Sequence, residues 1–176
     1  IRDAAMTAAR THALFFSSEA PCLRVVSALA EGSDRIGALL GLAEGFELAA
    51  PLPFAAENYE GDFATPESKA EFRRLLANAA SVLEFPGDRQ EEAKAYERAG
   101  MAVLDASDLL IAVWDGKPSA GRGGTTEIIY EAARRGMPVL WINPAPGENA
   151  RIFWQEGIAN HPGPAYFDAP FSEDAL

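Results

Sequence analysis

The residues richest in chemistry are Gly121-Arg122-Gly123-Gly124-Thr125-Thr126-Glu127, where glycines, a cation, hydroxyls and a carboxylate fall within one short run. Glycine lets a backbone approach a ligand without a clashing Cβ and permits positive φ, while Thr125 or Thr126 can donate a hydroxyl to a phosphate oxygen or cap a helix. Arg122 adds a mobile cation. Before the run, Asp108-Leu109-Leu110-Ile111-Ala112-Val113-Trp114-Asp115-Gly116 reads as a buried strand, and after it the sequence turns helical. A strand, a glycine loop and a helix start in that order aim unpaired backbone N–H groups and the positive end of a helix dipole at one point, which suits a phosphate. The same composition also suits an ordinary glycine turn with a threonine cap. Lys117 is followed by Pro118, so the Gly-Lys-Ser/Thr start of a Walker loop is absent, and the spacing is not that of a G-x-G-x-x-G dinucleotide turn.

Glu127 departs from a plain phosphate cradle. A carboxylate in the first helical turn suits the dipole but repels a phosphate placed against it, so its natural partners are hydroxyl donors such as those of ribose. Asp115 can hold a ribose hydroxyl or simply terminate its strand. Glu31-Gly32-Ser33-Asp34-Arg35 is a second glycine turn into a helix start, able to bind another anion, to hold the first, or to be no more than a capped helix. A helix N-terminus contributes about 0.3 to 1 kcal/mol toward an anion, whereas micromolar affinity needs about 8 kcal/mol, so further contacts are required. Phe54, Tyr59 and Trp114 fall near strand ends, where they can flank a base or fill the core.

Elements that position these residues follow from periodicity and punctuation. Residues 4–16 fit a helix, Pro21 breaks it, and 23–27 fit a short strand. Ser33 is placed to cap a helix carrying Ile36, Leu39, Leu40 and Ala43 on one face, ended by Gly45. The segment 46–54 reads as a strand leaving the sheet, because its prolines cannot donate ladder hydrogen bonds. Thr65-Pro66 opens a helix with Phe72, Leu75, Leu76 and Ala79 as its stripe, 81–85 is a strand, and Asp88 with Glu91 opens a helix bearing Tyr96, Ala99, Gly100, Val103 and Leu104. A strand over 109–114, a helix over 125–135 and a strand over 138–142 complete the series. Residues 143–176, rich in Pro and Gly, read as an irregular tail docked through Tyr166, Phe167 and Phe171. Strands alternating with helices predict an α/β fold, a doubly wound, mostly parallel sheet covered on both faces as one domain. Ligands in such folds sit beyond the carboxyl ends of the strands, where the loops 27–34, 54–62 and 115–126 converge.

Composition narrows the partners. The chain has 176 residues and a formal net charge of -11, which repels the phosphate backbone that nucleic-acid binders must neutralise. Cys22 is the only cysteine, and His12 and His161 lack metal-ligand spacing, so neither a disulfide nor a bound metal is expected and no cofactor is implied. No apolar run is long enough to cross a bilayer and no secretory leader opens the sequence, so a cytoplasmic protein is expected.

The combination Val26-Ser27-Ala28-Leu29-Ala30-Glu31-Gly32-Ser33-Asp34-Arg35, Pro53-Phe54 with Tyr59 and Asp62, Asp105-Ala106-Ser107-Asp108, and the loop from Gly121 to Glu127 resembles the SLOG superfamily over residues 23–143. These Rossmann-like domains take their name from the DNA-uptake protein DprA/Smf and the cytokinin-activating LOG enzymes. The resemblance implies an upstream strand ending in a glycine turn, absent from this sequence, and a nucleotide or nucleotide-derived small molecule as ligand, with a homo-oligomer or a fused effector domain as the responding element. On this reading Gly123, Gly124 and Thr125 hold phosphate and Glu127 or Asp115 holds ribose. LOG-type enzymes instead cleave the N-glycosidic bond of a nucleoside monophosphate through Pro-Gly-Gly-x-Gly-Thr-x-x-Glu. Here Gly124-Thr125 matches the Gly-Thr pair, but the final glutamate position holds Ile128 and Glu127 is displaced by one residue, about 100 degrees around a helix. Three expectations stand: a nucleotide sensor, an N-glycosidic enzyme (a phosphoribohydrolase or a deoxyribosyltransferase-like transferase) in which Glu127 is catalytic, and a DNA-binding relative that the acidic balance opposes.

Overall fold

The structure, a computed structural model, describes residues 2–11, 21–117, 124–155 and 166–170. It is a mixed α/β protein built on two small sheets. Strands β1 (Arg24–Val26), β2 (Glu47–Leu52) and β3 (Ser81–Glu84) form a parallel sheet in that order. Strands β4 (Leu110–Val113), β5 (Val139–Ile142), β6 (Arg151–Gln155) and β7 (Tyr166–Pro170) form a second, with β4 parallel to β5 and the last three antiparallel in succession. The single continuous parallel sheet expected from the alternation is therefore not what is seen. Among the described residues β1 and β4 each pair along one edge only, so the ladder is interrupted between them.

Parallel neighbours need crossover connections, and helices supply them. Helix α1 (Arg2–Thr11) comes first, then α2 (Ser33–Ala43) links β1 to β2. The one-turn helix α3 (Ala56–Tyr59) and α4 (Pro66–Ala77) link β2 to β3, α5 (Glu92–Asp105) leads from β3 to β4, and α6 (Thr125–Arg134) joins β4 to β5. The start of α4 is as the sequence predicts: Pro66 occupies the first turn, where its missing N–H is no loss, and the Thr65 hydroxyl accepts the Ser68 N–H at 3.1 Å. Asp88 likewise caps the 3-10 turn that precedes α5, accepting the Gln90 N–H at 2.9 Å.

Burial divides between two clusters. Leu29, Ala38, Leu48, Leu52, Phe54, Phe72 and Leu75 fill one beside the first sheet, while Leu104, Ala112, Ile129, Ala132 and Val139 fill the other. Helix α5 serves both, with Ala95 in the first and Leu104 in the second.

Three sequence expectations give way to the geometry. Strand β2 does not leave the sheet but is its central strand, despite Pro51. The Ser27 N–H donates to the Ala49 carbonyl and the Phe85 N–H to Leu52, so odd-numbered β2 residues face β1 and even-numbered ones face β3. Pro51 points to the β1 side after β1 has ended, and its absent N–H forfeits no ladder bond. Helix α2 also turns differently. Arg35 and Ala38 are the buried residues, while Ile36 is 59% and Leu40 62% exposed, because Gly41 must lie flat on Val25. Its cap is Gly32, with no side-chain cap bond from Ser33. Finally, the segment read as an irregular tail contains β6 and β7, a hairpin-like pair added antiparallel to β5. The side chains of Tyr166 and Phe167, and Phe171 altogether, lie outside the described residues. Among the described residues no helix is long and apolar enough to cross a membrane.

Candidate functional site

The loop that leaves β4 is tied down at its base. Trp114 donates its indole N–H to the Lys117 carbonyl at 2.8 Å, and the Thr126 hydroxyl donates to the same carbonyl at 2.9 Å from the far side of the loop. Trp141 on β5 donates to the Trp114 carbonyl at 2.8 Å, and the two indoles pack with centroids 5.7 Å apart. The Asp115 carboxylate pairs with the Lys117 ammonium and accepts the Lys117 backbone N–H at 3.0 Å, and the bond from the ammonium, then that from the backbone, hold the carboxyl below its usual range. Asp115 thus closes a turn on its own loop, which competes with the ribose contact read from the sequence. Gly121, Arg122 and Gly123 lie outside the described residues, as do His12 and His161.

At the other end of the loop, α6 begins at Thr125 with Gly124 as its cap, in extended backbone and with no side-chain cap bond. The Gly124 carbonyl accepts from Glu127 at 3.0 Å and Ile128 at 3.3 Å. The Thr125 and Thr126 N–H groups have no acceptor among the described residues, as is usual for first-turn amides of a helix. The two threonines divide their work. Thr125 is exposed, whereas Thr126 is buried with its hydroxyl committed to Lys117, which removes it as a ligand donor. Glu127 is half-buried in the first turn, where its charge suits the dipole.

The second glycine turn is mostly consumed by the fold. The buried Ser27 hydroxyl donates to the Asp34 carbonyl at 3.2 Å and accepts the Leu29 N–H at 3.1 Å. Leu29 sits in the left-handed region at φ 59, and Gly32 at φ 94 takes a conformation that side chains resist. Arg35, only 2% exposed, donates to the Leu29 carbonyl and to Ser68, pairs with Glu71 at 3.3 Å, and lies 4.2 Å over the Phe63 ring. It is a tie between α2 and α4 rather than a mobile cation for a ligand. Burial pushes the Asp34 carboxyl up, opposed by a hydrogen bond from the Ala30 backbone and by the charge of Arg35. Glu31, Gly32 and Ser33 remain exposed, with the Glu31 carboxylate accepting from the Ser68 hydroxyl.

Pro53 is buried, and so are Phe54 and Tyr59, which of the two roles open to them in the sequence take the core rather than the flank of a base. Phe54, Tyr59, Phe72 and Tyr96 form a connected aromatic cluster with centroids 5.6 to 6.5 Å apart. Trp114 is half-buried beside the loop. Sequence reasoning did not find the polar network at the carboxyl ends of β2 and β3. There Arg89 stacks 3.9 Å over Phe54, donates to the Asn58 side chain and carbonyl at 2.6 Å each, and pairs with Asp62, which also accepts the Tyr96 hydroxyl at 2.5 Å. Burial and the Asp62 carboxylate push the Tyr96 phenol up to about 12. No spacing signals it, since its members come from four separate elements. Compared with known proteins, the chain matches no family model and no curated relative.

Proposed function

We propose that this protein binds a nucleotide or nucleotide-derived small molecule, with its phosphate at the N-terminus of α6. The observation that carries the reading is the pair of amides on Thr125 and Thr126 that have no acceptor among the described residues, beyond a glycine cap with no side chain to satisfy them. Support comes from the loop's fixed base, because donors held in place before binding lose less entropy on binding. The exposed Thr125 hydroxyl adds a third donor beside the two amides. On this reading the chain is a SLOG-like domain, its two sheets are parts of one Rossmann-like arrangement, and ligand binding is reported to a partner or a second copy.

A thermal-shift panel of nucleotides, cyclic nucleotides and ADP-ribose tests the proposal, with a ligand-dependent rise in Tm expected for at least one phosphate-bearing compound. Incubation with AMP, CMP and NAD separates binding from catalysis. Intact ligand is expected; release of free base or nicotinamide that Glu127→Gln abolishes would make the protein an N-glycosidic enzyme instead.

A further inference from the structure

A cleft of about 310 Å³ opens at the carboxyl ends of β2 and β3, lined by Ala55, Asn58, Glu84, Phe85, Pro86 and Gly87. Its volume sits at the lower end of the range of about 300 to 1,000 Å³ typical of small-molecule sites. The wall at Gly87 is fixed by packing, since a Cβ there would collide with the Pro53 carbonyl and lie 2.7 Å from the Phe54 ring.

Two polar side chains of opposite character are among its lining. Asn58 gives its side-chain oxygen to Arg89 at 2.6 Å, which orients the amide so that its Nδ2 donors make no hydrogen bond among the described residues. Glu84 uses Oε1 to accept the Ala56 N–H at 2.9 Å, and its second oxygen accepts no hydrogen bond among the described residues. A ring that donates from an amino group and accepts at the neighbouring ring nitrogen matches this pair. The half-buried Phe85 supplies an aromatic wall for stacking. Phosphate is disfavoured here, because the Glu84 carboxylate lines the cleft and the Arg89 guanidinium bonded to Asn58 is already paired with Asp62 and Glu92.

From this geometry we infer that the Asn58–Glu84 cleft is a binding site for an uncharged, amino-substituted nucleobase, of the adenine or cytosine pattern. Glu84 accepts from the exocyclic amino group and Asn58 donates to the adjacent ring nitrogen. A base with a carbonyl in place of the amino group meets carboxylate against carbonyl oxygen and is rejected. The site does not depend on the α6 loop.

The test follows the Asn58 side-chain amide resonance by NMR during titration with adenosine and with inosine. Adenosine is expected to shift it saturably, with an affinity about tenfold or more above that of inosine, the discrimination typical of one paired base edge. In Glu84→Gln, which keeps the acceptor for Ala56 but replaces the second oxygen by a donor, that preference is expected to disappear at unchanged Tm. No saturable shift with adenosine, equal response to inosine, or a preference that survives Glu84→Gln would each overturn the inference. Adenosine carries no phosphate, so such a failure leaves the α6 reading standing, and failure of nucleotide binding at α6 leaves this site untouched.

Discussion

Thr126 donates its hydroxyl to the Lys117 carbonyl at 2.9 Å, stitching the first turn of α6 to the end of β4 across the intervening loop. The Trp114 indole shares that carbonyl, so one oxygen fixes where the strand ends and where the helix begins. Replacing the hydroxyl by a methyl in Thr126→Val keeps the shape and removes the stitch. A loss of about 1 kcal/mol is expected for one hydrogen bond, measured by urea unfolding. Any nucleotide-induced rise in Tm is expected to shrink with it, because the first-turn amides are no longer tied to Lys117.

Gly124→Asp separates stability from binding. Gly124 has φ -79 and ψ 164, a conformation open to any residue, and stands at the N-cap position where aspartate is among the preferred types. Its carboxylate would accept the first-turn amides of α6 in place of a ligand. The variant is therefore expected to be as stable as the parent or more so, while the phosphate-dependent part of nucleotide binding is lost. Thermal melts with and without ligand give both readings.

Much of this arrangement was legible in the sequence, and the misses have identifiable causes. Short-range chemistry read well: the Thr65-Pro66 start of α4, Gly45 after α2 at φ 78, and the strands over Leu110–Val113 and Val139–Ile142 all follow from local pattern. Facing was harder. The apolar residues Ile36 and Leu40 predicted the wrong side of α2, since the contact is set by the close approach of Gly41 to Val25 and by the burial of Arg35. A buried arginine gives no hydrophobic signal. Phe54 and Tyr59 were placed at the rim by chain position alone, and only the aromatic cluster they join shows that they are core. Asn58, Glu84 and Arg89 come from separate elements, so no motif announces them.

Arg35 should be among the least replaceable polar side chains. It satisfies the carbonyls of Leu29 and Ser68 and covers the Phe63 ring from a buried position. Arg35→Leu leaves those acceptors without their donor and is expected to destabilise by about 2 to 4 kcal/mol. Arg74→Leu, at a side chain 65% exposed, is expected to change stability by less than about 0.5 kcal/mol. Denaturant midpoints of the two variants make the comparison.

Asp34 supplies a pH dependence of defined sign. Burial raises its carboxyl pKa above the ordinary value, so between the unfolded and folded pKa values the native state holds more protons than the unfolded chain. Its contribution is accordingly most favourable below the unfolded pKa and declines as pH rises through the folded one. Asp34→Asn, which never ionises, is expected to remove that decline and to be relatively more stable at neutral than at acidic pH. Unfolding free energies across pH 3.5 to 7.5, roughly the carboxylate range and above, measure the difference between the two proteins.

Phosphate recognition at α6 is the central claim, and calorimetric titration of the tightest-binding nucleotide beside its matching nucleoside tests it most directly. The account predicts that the nucleotide binds about tenfold or more tightly than the nucleoside, and that Gly124→Asp erases the difference. Equal affinities in the parent protein, or a difference that persists in Gly124→Asp, would contradict it.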